Sequence, residues 1–359
     1  MRGRAIRTLT LSGDPLALGR AHGLAHAREI RSYADDRVAR SADGTDWKRD
    51  RILALAEACL PSHRDFSPDL YAEMEALAEA AGLTPAEAMV VGGYTDFIDV
   101  VRAHAAGAPV EDTCTAVVVP DGRTSGGGFL AQTWDMHASA TDHIVMLDLR
   151  PEGAPAALVF STVGCLGQIG MNDRGIAVGI NNLTAADGRI GVTWPFVVRE
   201  VLRQTRFEDA LACIVDAPLA GGHSFLLFDR DGAGAVVEAM PTSRHVTRLE
   251  EAPLFHTNHC LGPSTRAVEA PRPVELVHSS QDRLRDAAAI LDEGPIDVDR
   301  LMALTRDEDS ICRHPEPPFD YESCGAAIMR PATGEFWACW GVPSENEYEH
   351  FDLELRERV

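Results

Sequence analysis

Residues 104–137 read HAAGAPVEDTCTAVVVPDGRTSGGGFLAQTWDMH, and the texture of the chain changes inside them. The first ten are small, acidic and broken by Gly107 and Pro109, the composition of a connector. From Cys114 to Pro120 the residues are apolar and β-branched, which favours a strand. DGRTSGGG then supplies a turn, and FLAQTWDM reads as the return strand of a hairpin. Cys114 stands at the switch from helical to strand pattern.

Upstream, the pattern is helical. Asp14-Pro15 is a start signal, and Leu16, Gly19, His22, Gly23, His26 and Ile30 follow at helical spacing, predicting one helix over 14–42. DWKRDRILALAEACL and SPDLYAEMEALAEAAG predict two more, the second closed by Gly82. LTPAEAMVVGGYTDFIDVV predicts a fourth, capped by Thr84 with Pro85 at its first position. On this reading the first 105 residues are helical.

Downstream, short strands follow one another at HIVMLDLRP, AALVFST, LGQIGMN and GIAVGINNL, with a turn at 172–175 between the last two. WPFVVREVLRQTR and FEDALACIVDA read as helices. HSFLLFD, AVVEAM and HVTRLE read as strands, QDRLRDAAAILDEG and DVDRLMALTRDED as helices, and AAIMRP and EFWACWG as a closing hairpin. Two batches of strands with helices between and around them predict an α+β layered fold.

The formal charge is −22, from 55 acidic and 33 basic side chains. Nucleic acid is recognised through a basic footprint, and an anionic membrane surface repels this sign of charge, so neither is an expected partner. No apolar core of a secretory signal follows the basic residues near Met1, and no run approaches the roughly 20 apolar residues of a membrane helix. The eight cysteines are scattered without a CxxC pair, the usage of reduced core thiols. A cytoplasmic protein is expected, with no cofactor or metal.

Five motifs join the nucleophile strand CTAVVV (114–119) in order: GDPLALGRAHG (13–23), AQTWDMH (131–137), NDRGIAVGINNL (172–183), TNH (257–259) and SICR (310–313). The ordered set resembles the acyl-coenzyme A:6-aminopenicillanic acid acyltransferase family, the C45 group of N-terminal-nucleophile hydrolases, over nearly the whole chain. The resemblance implies a four-layer αββα sandwich of two antiparallel sheets covered by helices. It implies a helical α segment, 1–113, and a catalytic β segment, 114–359, that form one unit and stay associated after the chain cuts itself between Thr113 and Cys114. The freed thiol is then the nucleophile and its own α-amine, with a pKa of about 7.7–8.0, the base.

By the same resemblance Asn258 and Asn182 supply the oxyanion donors, with Asn181 the neighbouring alternative in the doublet. Asp135 orients the α-amine, and Arg313 favours the thiolate by its fixed charge and positions the active-site carboxylate. The substrate implied is a small-molecule or peptide-like amide, hydrolysed through a Cys114 thioester. Transfer is the alternative, with coenzyme A entering only as the acyl donor. An uncut, inactive binding homologue is the alternative of another class, and the number of copies in the assembly stays open. Two positions depart from the family's usual pattern: Thr113 replaces a glycine before the nucleophile, and Thr133 an asparagine before Trp134. A β-branched residue at 113 restricts the backbone beside the scissile bond and is expected to slow the cut.

Other signals are weaker. His22 and His26 are four apart on a helix but lack the glutamate of HExxH. His256 and His259 flank Asn258 and make a Cys–His dyad the mechanistic rival. Ser161, Ser224 and Ser310 have no GxSxG elbow, and Gly126–Gly128 lack the Lys-Ser/Thr of a phosphate loop.

Overall fold

The hairpin at 114–137 is the seed of a six-stranded sheet. The computed structural model describes residues 5–105, 114–317 and 320–357. In it, β2 (Ala116–Val119) pairs antiparallel with β3 (Phe129–His137).

Five helices precede that sheet: α1 (Pro15–Ala25), α2 (Ala27–Arg40), α3 (Arg49–Phe66), α4 (Pro68–Ala81) and α5 (Pro85–His104). The start signals act as read. Asp14 accepts from the amide of Ala17, and Thr84 with Glu87 forms a capping box. Two expectations are corrected. The helix over 14–42 is two helices, because His26 at φ −132°, ψ 25° leaves helical geometry. The first 105 residues are also not all helical: β1 (Thr8–Gly13) is a strand lying parallel to β4 (Ile144–Pro151). Its partner is far away in the chain, so no local turn announces it, and its sheet is mixed rather than purely antiparallel.

That sheet has the order β1-β4-β5-β6-β7-β8-β9-β10. It adds β5 (Ala157–Thr162), β6 (Ile169–Asn172), β7 (Ile176–Leu183), β8 (Gly222–Asp229), β9 (Gly234–Ala239) and β10 (Arg244–Arg248). The other sheet runs β11-β2-β3-β12-β13-β14, with β11 (Leu254–His256), β12 (Tyr321–Arg330), β13 (Glu335–Trp340) and β14 (Tyr348–Asp352). The short strand β11 and the edge strand β14 carry no turn signal and are not legible in the sequence.

Alternation sorts the faces. Ala116, Val118 and Leu130 point into the main core beside Val178, Leu226 and Phe228 of the other sheet. Val117, Val119, Phe129 and Ala131 point outward against Ala287, Leu291, Leu301 and Leu304. Those four belong to α9 (Val274–Ile290) and α10 (Val298–Thr305) or the segment just after α9, which cover the six-stranded sheet; α8 (Pro263–Arg266) is a single turn. On the far side, α6 (Trp194–Leu202) and α7 (Phe207–Val215) cover the eight-stranded sheet with Val197, Val201, Ala210 and Ile214. The layers are therefore helix, sheet, sheet, helix. The two sheets are tied by Gln132, whose side chain accepts from the amide of Ile180 (2.7 Å) and donates to its carbonyl (2.9 Å). It can do so because the pairing of β6 with β7 ends at Gly170↔Val178 and leaves that backbone open.

Candidate active site

The site begins with strand positions. Cys114 precedes β2 and is buried, with the amide of Asp135 donating to its sulfur at 3.3 Å. Asp135 lies on β3 opposite Ser323, where a bulge at Ser323–Gly325 breaks the β3–β12 register, a device common beside active sites. Asn182 is on β7, Asn258 in the turn after β11, and Arg313 between α10 and β12. Cys114, Asp135, Asn182 and Asn258 line one small cavity, walled also by Tyr33, Tyr94, Trp134 and Tyr321. The side-chain amide of Asn258 donates to the main-chain carbonyl of Asn182 (3.1 Å), fixing the two relative to each other. Asn181 is on the opposite face of β7, buried, its amide atoms without hydrogen-bond partners among the described residues and outside the cavity lining. The doublet therefore presents Asn182. Thr113 lies outside the described residues.

Thr133 serves the strand pairing. Its hydroxyl accepts from the amide of Thr115 (3.1 Å), joining the strand that follows Cys114 to the one that carries Asp135.

Arg313 is not in the cavity wall. Its amide donates to the Ser323 hydroxyl (2.9 Å) and its guanidinium to Ser279 (2.9 Å). The cation beside Cys114 is Arg283, on α9, which the sequence motifs do not include. It donates to the carbonyl of Cys114 (2.5 Å), the hydroxyl of Thr115 (3.1 Å) and the side-chain oxygen of Asn258 (3.0 Å). One signal could have found it: Arg283 falls in phase with Leu276, Ser280 and Ala287, a charge on the buried stripe of an amphipathic helix.

Burial sets the electrostatics. It pushes the Cys114 thiol up to about 12, with the Asp135 carboxylate adding to the rise and Arg283 opposing it. It pushes Asp135 up to about 6, against the pull of Arg283, the Ser323 hydroxyl and Arg313. Neither carboxylate oxygen of Asp135 reaches good hydrogen-bond geometry with a described donor. Such a carboxylate is suited to receive a cation placed beside Cys114.

The histidines of the rival dyad are engaged elsewhere. His256 places Nε2 3.0 Å from Glu238 and Nδ1 2.7 Å from the carbonyl of Thr257. His259 faces Ser280 (2.8 Å), and neither lines the cavity. His22 accepts from the amide of Gly164 (3.0 Å), a packing role.

A profile of acyl-coenzyme A:6-aminopenicillanic acid acyl-transferase matches residues 122–345, well over half of the chain. The chain belongs to that family. It is accordingly an enzyme of the amide hydrolase and acyltransferase class. The matched span begins after Cys114. The 40 kDa form of the acyl-coenzyme A:6-aminopenicillanic-acid-acyltransferase of Emericella nidulans is 25% identical over 268 residues, 72% of this chain and 71% of that protein. Among solved structures, a mutant of conjugated bile acid hydrolase from Clostridium perfringens aligns with a TM-score of 0.43 and 12% identity, covering 69% of this chain and 99% of that one. Penicillin V acylase from Agrobacterium tumefaciens aligns with a TM-score of 0.41 and 12% identity, covering 67% and 86%. No helix among the described residues is long and apolar enough to cross a membrane.

Proposed function

We propose that this family member is a self-processing cysteine hydrolase, cut before Cys114, that cleaves a small-molecule or peptide-like amide through a Cys114 thioester. The supporting observation is the convergence on one cavity of a thiol, two asparagines and a buried carboxylate whose oxygens make no hydrogen bond of good geometry with a described donor. In the uncut chain the thiol is buried beside an acid, which favours its protonated form, and residue 114 has no free amine to take that proton, so the precursor does not turn over the amide substrate. Scission puts an α-ammonium next to Asp135; the amine it titrates to takes the thiol proton as sulfur attacks the amide carbon. Asn182 and Asn258 then donate to the developing oxyanion. The amine departs, water attacks the thioester, and the acid leaves. No cofactor takes part. Transfer of the acyl group to an amine, as the name of the Emericella nidulans relative describes for that protein, uses the same intermediate.

Intact mass of the wild type beside Cys114→Ala tests this. The wild type should give two co-purifying fragments of roughly 12 and 27 kDa, at about 110 Da per residue, and take up an acyl group on the larger one. The variant should stay whole. A wild type that remains uncut and unlabelled would instead mark a binding homologue.

A further inference from the structure

A second polar pair stands at the wall of the cavity, where His223 lines it and Asp96 lies behind, and the reaction above does not use it. His223, on β8, is the cross-strand neighbour of Asn182, so both side chains leave the same face of the sheet. Its Nδ1 lies 2.7 Å from Oδ1 of Asp96 on α5, and both residues are essentially fully buried. The other oxygen of Asp96 accepts from the amide of Trp194 (2.6 Å), which fixes the carboxylate. With the Asp96 oxygen accepting, Nδ1 carries a hydrogen toward it and Nε2 is turned the other way. Nε2 lies 3.5 Å from the hydroxyl of Thr95, which already accepts from the indole N–H of Trp194 (3.1 Å). The Trp194 ring stacks on the imidazole with centroids 5.2 Å apart.

A base held by an orienting acid and a stacked ring, its far edge turned to a cavity, is a preorganised proton acceptor. Thr95, Trp194 and His223 all line the cavity that holds Cys114. The kink that admits this arrangement is at Gly93, where α5 leaves helical geometry (φ −100°, ψ 27°) and a Cβ would stand 2.4 Å from the Thr193 side chain.

We propose that His223, oriented by Asp96, and the Thr95 hydroxyl form the subsite for the amine half of the substrate, and that His223 handles the proton of that amine. The proposal rests on the Cys114 acyl-enzyme above. When an amine attacks the thioester, the C–N bond forms as the C–S bond breaks. One N–H proton passes to Nε2, and sulfur leaves as thiolate. In the cleavage direction the same steps run backwards: the ring enters as imidazolium and gives its Nε2 proton to the departing nitrogen as the C–N bond breaks and the C–S bond forms, and it regains a proton from the water that attacks the thioester. Asp96 is a positioning residue that balances the imidazolium charge. The ligand class is an amine, leaving in hydrolysis and entering in transfer.

The test compares two substrates with one acyl group, an arylacetyl p-nitrophenyl ester and the arylacetyl amide of an alkylamine. A phenolate leaves without a proton, whereas an alkylamine cannot. In His223→Gln, ester turnover should stay within about threefold of wild type while amide turnover, and transfer to added alkylamine, falls on the order of 100-fold. Asp96→Asn should shift the same ratio by on the order of 10-fold. The amide-to-ester ratio is taken within one preparation, so a loss of folded protein cancels. A ratio equal to wild type in both variants overturns the amine subsite alone. A wild type that the ester does not acylate overturns the Cys114 reading on which it rests.

Discussion

Arg283 donates to the main-chain carbonyl oxygen of Cys114 from a side chain that is 1% exposed. The same guanidinium holds Thr115 and Asn258, so one cation fixes the start of β2 against an oxyanion candidate and offsets part of the charge of Asp135. A fork of this kind is not reproduced by a point charge.

Arg283→Met should therefore destabilise the protein by about 3–5 kcal/mol, since it leaves buried acceptors and a carboxylate uncompensated. Arg283→Lys should fold but cut itself at least 10-fold more slowly. Urea midpoints and the time course of fragment appearance on a denaturing gel check the two. Lysine-variant processing at the wild-type rate would show that charge alone suffices.

The hairpin at 114–137 and the capped helix α5 were legible because their signals are local: β-branching, a glycine turn, Thr84 with Glu87. Asp135, Asn182 and Asn258 were legible as motif positions, but their convergence depends on sheet stacking, which no spacing encodes. Arg283 and Arg313 exchange apparent importance because α9 buries one and leaves the other at the margin. His223 and Asp96 lie 127 positions apart and meet only when α5 packs on β8. Strand β1 was lost for a similar reason, its partner being Met146 and its neighbours rather than a hairpin mate.

Asp135 makes a pH signature. Burial raises its pKa to about 6 from an ordinary 3.8, so between those values the folded chain keeps a proton that the unfolded chain has lost. Stability must then fall as pH rises through that window, by up to about 3 kcal/mol. In the uncut Cys114→Ala background, the urea midpoint should drop between pH 4 and pH 7, and adding Asp135→Asn should remove that drop. In the processed wild type the new α-ammonium favours the carboxylate, and the drop should shrink. A pH-independent difference between the two uncut proteins would contradict the burial argument.

The ion pair of Glu73 with Arg199 joins α4 to α6, one on each side of the expected cut. Both side chains are buried, and two hydrogen bonds of 2.7 and 2.9 Å connect them. Glu73→Ala should cost about 3–5 kcal/mol by stranding the guanidinium. In a processed protein it should also let the two fragments separate at lower urea than in wild type, which gel filtration in a urea series would detect. Co-elution up to the wild-type urea concentration would show that the other contacts across the cut, the β1–β4 pairing and the Asp96 hydrogen bonds among them, hold the fragments together without the ion pair.

Gly179 is the position where a single methyl group should disturb the site from a distance. A Cβ there would lie 2.3 Å from the side-chain oxygen of Gln132, which bridges the sheets through Ile180, two residues before Asn182. Gly179→Ala must push that amide away and leave the N–H and carbonyl of Ile180 without it, at about 1–3 kcal/mol for each group stranded. Gln132→Ala strands the same two groups by another route. The double variant should then be no less stable than Gln132→Ala alone, a non-additivity expected of residues that act through one contact. Turnover should fall along with stability, because the strand that presents Asn182 loses its anchor to β3. Additive losses in the double variant would mean that Gly179 is needed for something other than room for Gln132.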